Sequence, residues 1–351
     1  MNQTKKLIEV KSMYSVLSSK NKTSYVMNDC DLIINRGSAI GIVGESGSGK
    51  TQLLKTITGT QEMIPGIVNG SITYYIDNEK KSMYSKKNGK YILSKHHKEI
   101  KKNLIGFIPQ DPRSFLNPFW TLEELFSQTY KLKENRKITL HKFMEKYLKQ
   151  AGIVNSKNPV EDFIHKYPDK LSGGQAQRVM IAFVLSKEPE LIIADESTTG
   201  LDVTNQKIVI DTFSKIRKEN PNITMIFISH DFGFLSHVVE EYYVIYGGFI
   251  CEHITDKKQF YKENELHPYT RDLILSLKNK AKASKIDHDQ ISTSLLTKPL
   301  SGCPYFNSKC LDENCNEEHH FHNRIPPIFD HSGNSLNVDL NEKWKRSINV
   351  K

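Results

Sequence analysis

The feature that most constrains the fold is the stretch GIVGESGSGKTQLL at residues 41–54, where four glycines and two serines separate an apolar run from a helical pattern. Gly44, Gly49, Lys50 and Thr51 fit the pattern G-x-x-x-x-G-K-[ST]. Such a loop turns backbone N–H groups toward phosphate oxygens, and the N-terminus of the next helix adds positive potential. A glycine-rich turn without a ligand is the alternative, but the flanking strand and helix patterns favour a nucleotide phosphate site.

The composition narrows the class of protein. The chain has 351 residues, of which 38% are hydrophobic and 25% charged, as is typical of a globular protein with one large and one smaller domain. No apolar run reaches the length of a membrane-spanning helix, and the N-terminal lysines are not followed by an apolar signal region. We therefore expect a cytoplasmic chain that reaches a membrane only by docking on other subunits.

The net charge of +9 is concentrated in one segment. Residues 79–102 contain nine lysines and two glutamates, and alone contribute +7. A nucleic-acid groove would instead spread basic residues over several elements with aromatic residues between them. We interpret the segment as a solvated loop or hairpin rather than a phosphate-binding patch.

Strand and helix patterns alternate along the first 275 residues and predict an α/β protein with crossover connections. Helical spacing covers 50–59, 121–153, 175–187 and 206–219. Short strands are predicted at 6–17, 24–35, 38–43, 71–76, 103–110, 190–196 and 223–230, and a hairpin at 242–254 that turns at Gly247-Gly248. After about residue 280 the sequence becomes polar with scattered prolines, which predicts an irregular appendage.

Two carboxylates follow the apolar run LIIA, at Asp195 and Glu196. The end of a buried strand in a parallel sheet would lie next to the phosphate loop. Asp195 would hold Mg²⁺, to which Thr51 can offer its hydroxyl, and Glu196 would orient and deprotonate an attacking water. An apolar strand ending in Asp-Glu is common by itself. The catalytic interpretation of this pair therefore depends on its position after the phosphate loop.

A second anion-binding surface is predicted at LSGGQAQR, residues 171–178. Ser172 has the character of a helix N-cap, and Gly173 and Gly174 leave the backbone bare at the start of the helix. One subunit could use both surfaces on one γ-phosphate only if the fold brought them together. The alternative is that each surface completes the site of a partner subunit.

In their order, these motifs resemble those of the ABC transporter ATPases, over about residues 5–275. The phosphate loop, LSGGQ and LIIADE are joined by a Q-loop glutamine, Gln110 in FIPQDP, by a D-loop ending at Asp202 in TTGLD, and by a switch histidine, His230 in FISHD. The resemblance implies an α/β P-loop NTPase cassette over 1–275. It would have a mixed sheet with a RecA-like core, an antiparallel β-subdomain and a helical subdomain at about 111–170, followed by an irregular extension at 276–351.

The resemblance implies ATP and Mg²⁺ as cofactors and assigns a role to each matching position. Two cassettes would sandwich two ATP molecules, with His230 on the γ-phosphate and Gln110 linking the metal and the water to the membrane-facing helical subdomain. The catalytic residues would be Glu196, His230, Gln110 and Lys50, and the Mg²⁺ ligands Thr51, Gln110 and Asp195. The ATP-binding residues would be Gly44, Glu45, Ser46, Gly47, Ser48, Gly49, Lys50, Thr51, Gln52, Gln110, Ser172, Gly173, Gly174, Gln175, Asp195 and Asp202, with Tyr14 against the adenine.

Four further stretches resemble the D-type ATPase subunit of peptide and nickel importers. They are residues 109–128, residues 178–206, HPYTRDLILSL at 267–277 and SGCPYFNSKC at 301–310. Ser197 departs from the family pattern, which usually has proline there. The resemblance implies an ATP-hydrolysing subunit that lies peripherally on the cytoplasmic face of the membrane. Its partners would be two permease subunits, a second ATPase subunit in a hetero- or homodimer, and an extracytoplasmic solute-binding protein, with no nucleic acid.

Two other functions and the nature of the cargo stay open. Peptides, nickel or another small solute would each be compatible with these motifs. A soluble ABC ATPase that acts on ribosomes or DNA would usually have a second cassette or a long coiled-coil insertion, and the sequence has neither. A non-catalytic, nucleotide-gated subunit would not require Glu196 and His230.

Three cysteines in the C-terminal extension, Cys303, Cys310 and Cys315, are spaced C-x6-C-x4-C and are followed by HHFH at 319–322. An iron–sulfur cubane usually takes four thiolates, one more than this segment offers. Three cysteines and one histidine could instead bind zinc. Three reduced thiols without a metal are the third possibility.

Overall fold

Two larger β-sheets form the framework of the protein. The computed structural model describes residues 6–19, 22–61, 65–133, 137–229, 232–261 and 266–278, and two short strands, Ile328–Phe329 (β13) and Ser335–Leu336 (β14). In the described part of the chain, no helix is both long enough and apolar enough to cross a bilayer.

The first sheet is antiparallel and has the strand order β2-β1-β4-β5. Its strands are Lys6–Ser19 (β1), Lys22–Asn35 (β2), Pro65–Ile76 (β4) and Glu79–Ser82 (β5). Strand β1 lies between β2 and β4 and pairs with both, so the N-terminal strands predicted from the sequence form one hairpin.

The second sheet has six strands in the order β12-β11-β3-β10-β9-β8. They are Ala39–Val43 (β3), Ile105–Ile108 (β8), Leu191–Asp195 (β9), Thr224–Ile228 (β10), Glu241–Tyr246 (β11) and Phe249–Ile254 (β12). All neighbours are parallel except the β11–β12 hairpin. The carboxyl ends of the five parallel strands therefore meet at one edge of the sheet.

Helices lie between the successive parallel strands of the second sheet, and one more helix follows its last strand. They are Lys50–Thr58 (α1), His97–Glu99 (α2), Pro112–Phe115 (α3), Leu122–Lys131 (α4), Leu140–Gln150 (α5), Glu161–Ile164 (α6), Gly173–Ser186 (α7), Val203–Glu219 (α8), Phe232–Val238 (α9) and Pro268–Lys278 (α10). A π-helical segment, Ile100–Leu104, precedes β8, and 3₁₀ turns occupy Pro168–Lys170 and Lys257–Tyr261.

The second sheet is buried on both faces, because successive residues of a strand point to opposite sides. In β10, Ile226 and Ile228 join the apolar cluster that contains α1 and the first sheet. The alternate residues Met225 and Phe227 join the cluster that contains α4, α5, α7 and α8. Burial on both faces explains why β3, β9 and β10 are apolar at nearly every position rather than at every second one. These findings confirm the α/β cassette fold predicted from the sequence.

The helical pattern at residues 121–153 forms two helices rather than one. The first, α4, starts with a capping box in which Thr121 and Glu124 bond each other's backbone N–H groups. The second, α5, begins after Thr139, whose hydroxyl accepts the N–H of Lys142 at 3.3 Å. Each helix has helical spacing of apolar residues, but the five polar residues KENRK at 133–137 interrupt the pattern, so the sequence does carry a signal for the break.

The lysine-rich segment at 79–102 is only partly a solvated hairpin. Strands Tyr84–Lys87 (β6) and Lys90–Leu93 (β7) form the predicted hairpin, whose lysines are exposed. The flanking residues Lys81, Met83 and Ile100 are buried. Since Lys81 donates to Glu99, the base of the hairpin is tied to the end of α2, directly before the π-helical segment. The interpretation as a solvated segment is therefore wrong for the base of the insertion.

Candidate active site

The phosphate loop lies between β3 and α1 and is held closely by neighbouring backbone. A Cβ atom on Gly44 would lie 2.2 Å from the carbonyl oxygen of Ile245 in β11. Gly49 has a φ of +106°, and a Cβ there would lie 2.7 Å from the carbonyl oxygen of Val26 in β2. These two positions accept only glycine, because a side chain would push the loop away from both strands.

The side chain of Lys50 is buried and lies inside the loop. Its Nζ donates to the carbonyl oxygens of Gly44 at 2.8 Å and Glu45 at 2.6 Å. Burial lowers the pKa of this amine, while the nearby carboxylates of Glu196 and Asp195 act in the opposite direction. A cation at this point of the loop can bind phosphate oxygens, as the motif predicts.

Two buried polar atoms next to Lys50 indicate that the loop fits a phosphate group. Ser48 Oγ and Gln52 Nε2 have no hydrogen-bond partner among the described residues. A buried polar group left unpaired costs about 1–3 kcal/mol. A phosphate that accepted hydrogen bonds from both would remove this cost. Thr51 and Asp195 both line one cleft beside α1, and a hydroxyl and a carboxylate are oxygen ligands that suit Mg²⁺.

The two carboxylates lie at the carboxyl end of β9. Asp195 is the last residue of the strand and is opposite Ile228 of β10. Burial raises the pKa of the Asp195 carboxyl, the charge of Glu196 raises it further, and Lys50 opposes both. Glu196 has a φ of +44°, an unfavourable backbone conformation for a residue other than glycine, and its N–H donates to Ile228 O at 2.9 Å. Strained backbone of this kind is concentrated at functional sites.

Gln110 is brought to Glu196 by the end of the neighbouring strand, β8. Its Nε2 donates to Glu196 Oε2 at 2.9 Å. Gln110 also borders a cleft of about 580 Å³ that lies between α1, β8 and α3. Phe115, at the end of α3, lines this cleft with 61% of its surface exposed. The structure thus places Lys50, Asp195, Glu196 and Gln110 at one edge of the sheet.

The signature segment forms the N-terminus of α7. Ser172 Oγ accepts the N–H of Gln175 at 3.2 Å, and Gln175 Oε1 accepts the N–H of Ser172 at 3.0 Å, so the two residues form a capping box. Ser172 and Gly173 are exposed and Gly174 is buried. The start of α7 is therefore accessible from outside the chain.

Asn205, which the sequence did not single out, joins the signature to the D-loop. A Cβ on Gly174 would lie 2.3 Å from Asn205 Oδ1. Asn205 also donates to both carboxylate oxygens of Asp202, from its backbone at 2.9 Å and from Nδ2 at 2.6 Å. The backbone bond is the main reason why the pKa of Asp202 lies below its usual value. Asn205 lies three residues after Asp202, the N-cap of α8, and this spacing is visible in the sequence.

The phosphate loop and the signature have separate supports. The loop rests on β2 and β11, whereas the signature rests on α8 and on Arg178, which donates to the carbonyl oxygens of Gly174 at 3.1 Å and Gly152 at 3.0 Å. This arrangement is compatible with the prediction that each segment acts on a different nucleotide.

Several of the predicted residues are not brought to this edge. Tyr14 is 7% exposed and belongs to an apolar cluster in the first sheet with Val16, Tyr25 and Val68. Its ring has little free surface for an adenine, so the structure gives no support to the predicted stacking role. His230 and the cysteines Cys303, Cys310 and Cys315 lie outside the described residues. No cluster of potential metal-binding side chains occurs within the described ranges.

Helix α1 is also supported at its far end, by residues that the motifs did not indicate. The hydroxyl of Tyr84 donates to Thr56 O at 2.9 Å, and Lys101 Nζ donates to Gly59 O at 3.2 Å. Both residues belong to the lysine-rich segment. Hydrogen bonds and positive charge at a helix C-terminus stabilise the helix. The insertion therefore stabilises the helix that follows the phosphate loop.

Known proteins are similar to this chain in both sequence and fold. A family model described as "ABC transporter" matches residues 27–199. The oligopeptide transport ATP-binding protein OppD of Lactococcus lactis subsp. cremoris is 34% identical over 278 residues, which cover 78% of this chain and 76% of OppD. The dipeptide transport ATP-binding protein DppD of Caldanaerobacter subterraneus subsp. tengcongensis is 32% identical over 308 residues, or 87% and 88% of the two chains.

A solved structure supports the fold alone. The ATP-binding cassette MJ0796, in a dimeric post-hydrolysis state bound to ADP and phosphate, matches with a TM-score of 0.57 at 24% identity. The match covers 71% of this chain and 98% of MJ0796.

Proposed function

Because the chain belongs to the ABC transporter ATP-binding proteins of the oligopeptide and dipeptide transport family, we propose that it hydrolyses ATP to drive peptide import through membrane permease subunits. The observation that carries this proposal is the meeting of Lys50, Asp195, Glu196 and Gln110 at one sheet edge. A glycine-rich loop alone would indicate only a bound nucleotide, whereas carboxylates and an amide beside it are suited to hydrolysis.

The chemistry follows from these positions. The loop at residues 44–51 would cradle the β- and γ-phosphates, and Lys50 would bind their oxygens. Mg²⁺, held by Asp195 and Thr51, would neutralise phosphate charge. Glu196 would accept the proton of the attacking water, and Gln110 holds one of the Glu196 oxygens at 2.9 Å so that the carboxylate keeps its orientation.

The site would be completed by a second cassette, whose signature faces the γ-phosphate. The exposed first turn of α7, with Ser172 and Gly173, offers backbone N–H groups and a helix dipole to an anion outside this chain. We therefore propose that this chain works in a dimer, either with itself or with a related ATPase subunit. Asp202 and Asn205 would lie near the dimer interface, since they support Gly174.

Replacing Ser172 tests the role of the signature. Ser172→Ala removes a capping hydroxyl, which costs about 1 kcal/mol of stability, and is expected to lower ATP turnover about tenfold or more because a ligand of the facing nucleotide is also lost. Thr121→Ala is the matched control, because Thr121 forms the same kind of capping box at the start of α4. Phosphate release and thermal unfolding should be measured for both variants. Equal turnover in the two variants would contradict the proposed role.

The cleft beside Gln110 is the proposed docking surface for a permease subunit. It lies directly next to the residues that act on ATP, and Phe115 offers exposed apolar surface there. A permease segment in this cleft could displace Gln110 and so change the environment of Glu196. Such a contact would keep this chain at the cytoplasmic face of the membrane, in a complex that an extracytoplasmic solute-binding protein would supply with peptide.

Purification from membranes tests this assembly. Two permeases and a second ATPase subunit should be recovered with the wild-type chain in mild detergent. Phe115→Ser should reduce permease recovery about tenfold or more, since loss of a central apolar anchor weakens an interface strongly. Leu132→Ser, which removes a similarly exposed apolar side chain from the end of α4, should not. Recovery of ribosomes or DNA instead of permeases would contradict the proposed function.

The cysteine segment adds one finer proposal, which rests on the sequence alone. Cys303, Cys310 and Cys315, with a histidine from 319–322, have the donor types for zinc, and the cysteines alone have those for part of an iron–sulfur cluster. The same membrane preparation, made with and without oxygen, should be analysed for iron and zinc. Either metal at close to one site per chain would support the proposal, and neither metal would refute it.

A further inference from the structure

Tyr269, the second residue of α10, contacts the phosphate loop directly. Its hydroxyl accepts the backbone N–H of Glu45 at 2.9 Å. Glu45 follows Gly44, the first glycine of the loop, and is 224 residues away from Tyr269 in the sequence. The contact is made to backbone, so it does not depend on the type of side chain at position 45. The family model ends at residue 199, long before α10.

The side chain of Tyr269 is held firmly in place. It is fully buried, and its ring lies 4.4 Å from that of Tyr246, centroid to centroid. Its backbone N–H donates to His267 Nδ1 at 3.2 Å, and the N–H of His267 donates to Glu252 Oε1 of β12 at 3.3 Å. The hydroxyl is therefore fixed relative to the β11–β12 hairpin.

The backbone of Glu45 is held through both its N–H and its carbonyl oxygen. Tyr269 bonds its N–H, and Lys50 Nζ bonds its carbonyl oxygen at 2.6 Å. Next to it, Gly44 packs against the carbonyl of Ile245, the neighbour of Tyr246. Burial raises the pKa of the Tyr269 hydroxyl, and the hydrogen bond with the Glu45 backbone acts in the opposite direction. Strand β11 and helix α10 together define where the loop leaves β3.

We propose that Tyr269 is a positioning residue for ATP, through which α10 sets the geometry of the phosphate loop. This inference rests on the proposed function. A loop that binds phosphates through successive backbone N–H groups depends on their alignment, so a displacement of the Glu45 backbone is expected to weaken phosphate binding. Tyr269 touches neither the phosphates nor the reacting atoms, so it acts through the position of Glu45.

Tyr269→Phe tests the proposal in the full chain, because it removes the hydroxyl and keeps the ring packed against Tyr246. We expect the affinity for ATP to fall about three- to tenfold, with a matching rise in KM and little change in kcat at saturating ATP. Tyr243→Phe is the matched control. It removes a hydroxyl of β11 that donates to Ile33 O at 2.9 Å, away from the loop, and should leave ATP affinity unchanged.

The results separate the inference from the function on which it rests. Binding of ATP should be measured by titration calorimetry, and thermal unfolding should be followed for both variants. Wild-type affinity in Tyr269→Phe would overturn the inference, and so would an equal loss of affinity in Tyr243→Phe, which would indicate a general loss of stability. If the wild-type chain did not bind ATP in this assay, the proposed function itself would be contradicted.

Discussion

Glu196→Gln is expected to lower ATP turnover by about two to four orders of magnitude while ATP binding persists, because the amide cannot take the proton of the attacking water. The substitution keeps the size of the side chain, and its amide oxygen can still accept the hydrogen bond from Gln110 Nε2. A nucleotide-bound dimer should accumulate, since closure is retained and hydrolysis is not. Phosphate release and size-exclusion chromatography with ATP would measure the two effects.

The control for this variant is Glu190→Gln. Glu190 precedes the same strand at its opposite end, where it pairs with Arg36, so the change removes an identical charge far from the phosphate loop. It should leave turnover close to that of the wild type. Unchanged hydrolysis in Glu196→Gln would refute the assignment of Glu196 as the general base.

Lys50→Met is expected to weaken ATP binding about a hundredfold or more. The substitution keeps most of the apolar side chain but removes the buried ammonium, whose hydrogen bonds to charged phosphate oxygens are worth about 1.5–3 kcal/mol each. It also removes the Lys50 hydrogen bonds to the carbonyl oxygens of Gly44 and Glu45, of which the Glu45 oxygen keeps the bond from the Ser48 N–H, so the loop should lose order in addition. Titration with ATP, together with thermal unfolding, would separate the two losses.

Lys55→Met is the matched control for Lys50→Met. Lys55 is an exposed lysine of the same helix that borders the cleft beside Gln110, so its replacement removes an equal charge near Asp195 without changing the interior of the loop. Its affinity for ATP should remain within about threefold, in keeping with the small effects of exposed charges. A similar loss of affinity in both variants would mean that the charge of α1, rather than the place of Lys50, controls binding.

Much of the fold and the edge of the site follow from local sequence. An apolar run before the phosphate loop and another before Asp195 predict buried parallel strands, and the carboxyl ends of such strands meet at one edge. The hairpin around Gly247-Gly248 follows equally from its turn residues. These features depend on neighbouring residues, which is why the spacing of a few side chains is enough to predict them.

The remaining features depend on contacts between distant segments, which the sequence pattern does not encode. Nothing near Tyr269 indicates that its hydroxyl bonds the N–H of Glu45. Tyr14 is buried among residues of three strands, so its ring has little free surface for the adenine contact that the family resemblance implied. The positive φ of Glu196 arises from the junction of β9 with the following loop, and glutamate as a residue type gives no sign of it.

The boundary of the cassette at about residue 275 stays a prediction. Helix α10 extends to Lys278 and carries Tyr269, which contacts the phosphate loop. A cassette shortened to end before α10 should therefore bind ATP poorly even though every nucleotide-binding motif is present.

We propose that this chain supplies half of each ATP pocket and that a facing cassette supplies the other half. The most direct measurement is the hydrolysis rate per chain at saturating ATP and Mg²⁺ as the concentration of the facing cassette, this chain or its related subunit, is raised, with the molecular mass followed by light scattering. We predict a rate near zero for the monomer, which rises and saturates as dimers form. A constant rate per chain from a species that stays monomeric at every concentration would contradict the claim.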